Sequence, residues 1–174
     1  MLYRRALDEW KIAEFRDVCL STDTPNANGR IYPKSAVVAA VAKVQGAIKE
    51  RRFYGGFISD KGEEGWTTTG ASMGKFSHVI TDLHLDENGD LIATVEILDT
   101  PNGKLAVALL QEKAVGLFTR GIGHCERDLE TGHDVIQPDF ELQSIDFCPL
   151  EKKTWPQHVL SSAQEMPALK GSTD

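Results

Sequence analysis

The stretch Leu91–Gly123, LIATVEILDTPNGKLAVALLQEKAVGLFTRGIG, limits the possible folds more than any other part of the chain. It opens with Leu91, Ala93, Val95 and Ile97 alternating with Ile92, Thr94, Glu96 and Leu98, the period-two pattern of a strand. Asp99-Thr100-Pro101-Asn102-Gly103 breaks that period. Pro101 has no N–H to give a ladder but suits the first turn of a helix, with Asp99 or Thr100 placed to cap it. Leu105, Ala108, Leu109 and Glu112 then recur at helical spacing up to Lys113. Val115 to Gly123 returns to a strand with Thr119-Arg120-Gly121 at its centre. Strand, capped helix and strand in direct succession call for a sheet with helices laid on it, and can set a hydroxyl beside backbone N–H groups.

The flanking sequence extends this plan. Lys11 to Leu20 reads as a strand, with Ile12, Val18 and Leu20 on one parity and Phe15 and Cys19 on the other. Pro25 and Asn28-Gly29 are turn chemistry. Lys34 to Arg52 carries one apolar helical stripe, Val37, Val38, Val41, Val44, Ala47 and Ile48. Lys61 to Ser72 reads as an exposed loop whose Trp66 serves as a local staple or a partner contact. Lys75 to Leu85 is a strand that turns at Asp86–Asp90 into Leu91. After Gly123, His124-Cys125-Glu126 continues the strand to a turn at Asp128–His133, and Asp139 to Phe147 returns. Residues 1 to 10 read as a short helix or an arm. The predicted fold is α+β: one domain over residues 1–159, mostly antiparallel sheet or barrel of about six strands, with helices over 34–52 and 101–113. Residues 160–174, with Pro167, Gly171, Ser172 and Thr173, read as an extended tail.

Charge and cysteine usage narrow the function. A formal charge of −7 argues against a general nucleic-acid binder, which shows a basic face. No apolar run approaches the roughly 20 residues that span a bilayer. Asp8 and Glu9 stand where a signal peptide needs apolar residues, so the expected location is the cytoplasm. Cys19, Cys125 and Cys148 are widely spaced and odd in number, and read as reduced, small apolar residues, with Cys125 and Cys148 in runs that could be neighbours. A zinc site would need a tighter cluster of ligands, so neither metal nor cofactor is expected.

Four ordered motifs carry a family resemblance. Asn26-x-Asn28-Gly29-Arg30-x-Tyr32-Pro33, Phe76-Ser77-His78-Val79-Ile80-Thr81-Asp82, Ile97-Leu98-Asp99-Thr100-Pro101-Asn102-Gly103-Lys104 and Asp139-Phe140-Glu141-Leu142-Gln143-Ser144-Ile145-Asp146-Phe147 stand in sequence order. Together they resemble the prohead (capsid maturation) proteases of large tailed bacteriophages, whose fold is similar to that of the herpesvirus assemblins. The resemblance spans about Asn26 to Phe147 and implies an assemblin-like fold. It also implies phage capsid or other virion proteins as partners, a homo-oligomer or a subunit embedded in a larger assembly, and residence in the host cytoplasm and then the virion. It brings in no membrane, no specific nucleic acid and no cofactor.

The same resemblance puts catalysis in question. The family's Gly-Val-Ser-Ser-Arg-Gly-x-Gly stands here as Gly116-Leu117-Phe118-Thr119-Arg120-Gly121-Ile122-Gly123, with both serines replaced. The family's catalytic histidine, in Gly-Glu-Leu-x-His-Pro, aligns with Ser59, whose hydroxyl does not titrate near neutrality. The backbone N–H groups of Arg120 and Gly121 keep the family's oxyanion frame. The expectation is a catalytically inactive protein with a structural role in capsid or virion. Two alternatives stand beside it: an active endopeptidase with Thr119 as nucleophile and His78 or another histidine as base, and a scaffold-associated assembly factor. His78 itself reads as a strand residue.

Overall fold

A computed structural model describes residues 9–57 and 75–150, and the backbone of 163–165. Ten strands and two helices are formed among these residues. The strands are β1 (Lys11–Ser21), β2 (Arg30–Ile31), β3 (Tyr54–Gly55), β4 (His78–Leu85), β5 (Asp90–Leu98), β6 (Val115–Ile122), β7 (Cys125–Arg127), β8 (Asp134–Ile136), β9 (Glu141–Pro149) and β10 (Ala163–Glu165). The helices are α1 (Lys34–Lys49) and α2 (Pro101–Gln111). The proposed loop with Trp66, and Ser59, lie outside the described residues.

One sheet has the order β1-β5-β4-β3, a second β10-β6-β9, and a third, small one β2-β8-β7. The first two meet at both ends. At one end the Phe147 N–H donates to the Gly56 carbonyl at 2.8 Å, beside a parallel bridge of Phe57 to Phe147. At the other the Leu117 N–H donates to the Asp17 carboxylate of β1 at 3.2 Å. The sheet therefore curls on itself around one core, which includes Leu20, Ile80, Val95, Leu117, Ile145 and Phe147. This is the α+β, mostly antiparallel architecture expected from the alternation; β2 and β8 add a parallel pair.

Several local expectations are adjusted. The strand after Gly123 does not continue from β6: it breaks at Gly123-His124, and β7 joins the small sheet, which separates Cys125 from Cys148. All three thiols are free. In α1, Ala36, Val37, Ala40, Val41 and Ile48 are buried, while Val38 is half exposed. In α2 the buried positions are Gly103 and Ala106, and Leu105 faces out. Lying Gly103 on the sheet decides this: a Cβ there would sit 1.8 Å from the Leu98 carbonyl oxygen, so only glycine lets the helix start so close to β5.

The Asn26–Pro33 motif is a structural loop. The Asn26 side-chain oxygen accepts from the N–H groups of Asn28 and Arg30, both at 3.0 Å, and holds the turn through Gly29 at φ +74°. Tyr32 is then driven into the core edge-on to Phe140, 5.2 Å between ring centroids.

Of the two candidate caps for α2, the structure selects Thr100. Its Oγ1 accepts from the Gly103 N–H at 2.9 Å and donates to the Phe76 carbonyl at 2.6 Å. Asp99 instead pairs with Lys104 at 3.4 Å, both side chains exposed. Thr100→Ala is expected to cost about 1–2 kcal/mol, and Asp99→Ala under about 0.5 kcal/mol. Urea midpoints that rank the two variants the other way would contradict this assignment.

Candidate functional site

Strands β6 and β9 pair antiparallel, with Leu117 opposite Phe147, Phe118 opposite Asp146, Thr119 opposite Ile145 and Arg120 opposite Ser144. Side chains alternate across a sheet, so these pairs divide between two faces. Leu117, Ile145 and Phe147 belong to the core cluster, which assigns Thr119 to the inner face. Phe118, Arg120, Ser144 and Asp146 share the other face. Every one of these residues is buried: Thr119 is 1 % exposed and Phe118 2 %.

On the inner face, the Thr119 hydroxyl has no hydrogen-bond partner among the described residues. His78 of β4 is fully buried, its ring edge-on to Phe147 at 4.7 Å. Both its ring nitrogens are engaged. Nε2 lies 2.7 Å from the Ile145 carbonyl, which can only accept, so Nε2 carries the proton. Nδ1 is left as the acceptor for the Ser77 hydroxyl at 2.7 Å. Burial pulls the imidazole down to about 4, so it is neutral at physiological pH. Its one lone pair thus serves Ser77 and not Thr119. Ser77 and His78 do form a hydroxyl–imidazole pair, but both are fully buried, with no surface at which a substrate could meet them.

The opposite face holds a group that sequence reading placed in a strand and not in a site. Asp146 is fully buried; its Oδ1 accepts from the Gly56 N–H at 3.2 Å and its Oδ2 from the Ser144 hydroxyl at 2.9 Å. Burial pushes its carboxyl up to about 6, opposed by those hydrogen bonds and by the nearby Arg120 charge. Asp146 thereby ties β9 to Gly56 and stands directly opposite Phe118. The sequence held a signal for it: an acidic residue inside an otherwise apolar strand, Ile145-Asp146-Phe147, must find donors when buried.

Arg120 and Gly121 lie between two strands, in register with Ser144 and Leu142 of β9 on one side and with Gln164 and Ala163 of β10 on the other. A carboxylate–imidazole pair is exposed: the His124 Nδ1 bonds to Asp139, whose other oxygen accepts the His124 N–H at 3.1 Å. That carboxylate raises the His124 pKa. Among the described residues no group of His, Cys, Asp and Glu is arranged to hold a metal ion, and no helix is long and apolar enough to cross a membrane.

No protein-family model matches the sequence, and no curated protein matches it. Among solved structures, the fold is similar to that of the bacteriophage T4 capsid assembly protease gp21. The TM-score is 0.64 at 20 % identity, over 78 % of this chain and 80 % of that one. At that identity the likeness is one of fold.

Proposed function

We propose that this chain is a bacteriophage capsid-assembly or virion structural protein that keeps the prohead-protease framework without the reaction. The observation that carries the reading is the inner face of β6. There a buried threonine hydroxyl without a partner among the described residues stands on a strand whose nearby imidazole has both nitrogens committed elsewhere. Serine-type acyl transfer needs a nucleophile, a base within hydrogen-bond reach and oxyanion donors, acting as a unit. Phe118 offers no nucleophile, Thr119 is turned into the core, and the residue aligned with the family's base is a serine. A framework in which Asn26, Thr100, Gly103 and Asp146 still perform their packing roles supports retention of the fold for assembly. The partners on this reading are phage capsid or other virion proteins, met in the host cytoplasm during assembly. The likeness to a capsid assembly protease of phage T4 supports that class of partner.

Purified protein incubated with the cognate capsid and scaffold proteins is expected to leave both intact by mass spectrometry, and to leave its own tail intact. Thr119→Ser alone is expected to remain inert, because no base is supplied. Specific cleavage by the wild-type chain that disappears in Thr119→Ala would replace this reading with an active threonine endopeptidase.

A further inference from the structure

The dipeptide Asn-Gly occurs three times, at Asn28-Gly29, Asn88-Gly89 and Asn102-Gly103. Such a pair can react with itself, because no glycine side chain keeps the main-chain nitrogen from the asparagine Cγ. The fold gives the three pairs different surroundings. Asn102-Gly103 is locked in the first turn of α2: the Gly103 N–H donates to Thr100 Oγ1 and Asn102 Nδ2 to the Lys75 carbonyl, both at 2.9 Å. The other two pairs sit in matching turns, Asn26–Arg30 and Asp86–Asp90. In each, the first side chain's Oδ1 accepts the N–H groups two and four residues on, and the glycine N–H returns to the first residue's carbonyl. The Asn26 turn is tied into the small sheet, where the Gly29 carbonyl accepts the Asp134 N–H at 3.1 Å and Asn28 is half-buried. The Asp86 turn is the tip of the β4–β5 hairpin. There Asn88 is exposed, and its side chain makes no hydrogen bond among the described residues. Gly89 is buried with its carbonyl anchored by the Thr22 N–H and Oγ1, at 2.9 and 2.8 Å. Its nitrogen faces the turn, held by the Asp86 carbonyl at 3.2 Å.

We propose that Asn88-Gly89 is a site of spontaneous main-chain modification, which converts in the folded protein through a succinimide to isoaspartate and aspartate. The Gly89 nitrogen loses its proton to solvent and bonds to Asn88 Cγ, while Nδ2 takes up a proton and leaves as ammonia. Water then opens the cyclic imide. Cleavage between the Gly89 nitrogen and Cγ gives aspartate; cleavage between that nitrogen and the Asn88 main-chain carbonyl carbon gives isoaspartate. Nothing is oxidised or reduced, and water is the co-reactant. Isoaspartate lengthens the main chain by a methylene inside a turn that already holds Gly89 at φ +79°. The Gly89 carbonyl is thereby displaced from Thr22, where β1 passes into the Asn26–Pro33 loop. The inference goes beyond the proposed structural role and holds whether or not the chain cleaves anything.

The test follows the full-length chain over time in mildly alkaline buffer. Peptide mapping with electron-transfer fragmentation reads each asparagine and separates isoaspartate from aspartate. Asn102 must give up both of its hydrogen bonds and a turn of helix to react, so conversion at Asn88 is expected to be about ten-fold or more faster. Asn28 is expected to fall behind Asn88 as well. In urea the three rates should converge, because the dipeptide is the same and the fold is gone. Hydrogen exchange at the Thr22 amide is expected to quicken as isoaspartate accumulates, while exchange at Val95 in the core stays slow. Asn88→Gln, whose longer side chain closes the ring poorly, is expected to age with neither change. Conversion at Asn28 or Asn102 as fast as at Asn88 in the folded chain overturns the assignment. So does a folded Asn88 that stays intact while the unfolded chain converts, or a selectivity that persists in urea. Unchanged Thr22 exchange in the converted chain overturns the coupling to β1.

Discussion

Gly55→Ala is expected to destabilise the chain by about 3–5 kcal/mol, a large part of a typical domain's total of about 5–15 kcal/mol. An ideal Cβ on Gly55 would stand 2.2 Å from the Ile145 carbonyl oxygen and 2.3 Å from His78 Nε2. Neither atom is the loose end of a flexible side chain: one is backbone of a central strand and the other is an imidazole locked at both nitrogens. Relief requires either β3 to withdraw from β9, or the Ile145 backbone to shift and His78 to leave it. The first breaks the Gly56 to Phe147 and Asp146 links that join the two sheets, and the second strands a buried donor and a buried acceptor. Gly46→Ala is the matched control. That glycine lies on the exposed side of α1 with nothing within 4 Å of an added Cβ, so the same change there is expected to stabilise by about 0.5–1 kcal/mol. Urea denaturation of both variants reads the contrast. A Gly55→Ala midpoint within error of wild type would mean that the close approach of β3 to His78 is absent in solution.

Asp146→Asn is expected to make stability fall with acid at about 1.4 kcal/mol per pH unit between pH 6 and 4, over and above the wild-type slope. Two buried groups of opposite sign produce this. The folded chain holds His78 neutral down to about 4, whereas an unfolded histidine takes its proton near 6.5. The unfolded state therefore binds the extra proton across that interval, and stability is lost as pH falls, by about 3 kcal/mol in all. Asp146 runs the other way. Its folded carboxyl takes a proton near 6, but an unfolded one only near 4, so the folded state gains on acidification. In wild type the two nearly cancel between pH 6 and 4. Asparagine keeps an oxygen for the Gly56 N–H and contributes no titration, which leaves the His78 slope uncompensated. Urea midpoints at pH 7, 6, 5 and 4.5 give the measurement. Parallel curves for the two proteins would show that His78 and Asp146 do not both stay buried in the fold.

Much of the frame was legible before any coordinates. Thr100-Pro101 with Gly103 marks a helix start because a hydroxyl cap, a fixed φ and a missing side chain each act over three or four residues. The alternation through β5 and the apolar stripe of α1 are local periods of the same kind. Asn26-x-Asn28-Gly29 is likewise a short-range device, in which one side chain satisfies two nearby amides. The ordered motifs also pointed to the fold that the T4 capsid assembly protease shares.

Tertiary structure decided what lies across the sheet. Resemblance to the prohead-protease pattern set Phe118 and Thr119 against its two serines, but only the β6–β9 register assigns Thr119 to the core and Phe118 to the side of Asp146. A shift of one residue would exchange them, and period two alone does not say which parity faces in when both faces are buried. His78 was a candidate base by chemistry; its partners, Ser77 beside it and Ile145 some 67 residues away, show where its lone pair goes. Asp146 meets Gly56 over a separation of 90 residues, and β10 finds the edge of β6 from a stretch whose composition suggested only a tail. Local sequence thus determined the elements, because propensity and capping act within a few residues. The surroundings of the candidate residues came from contacts between distant strands, where burial and geometry set which hydroxyl, imidazole or carboxylate meets which partner.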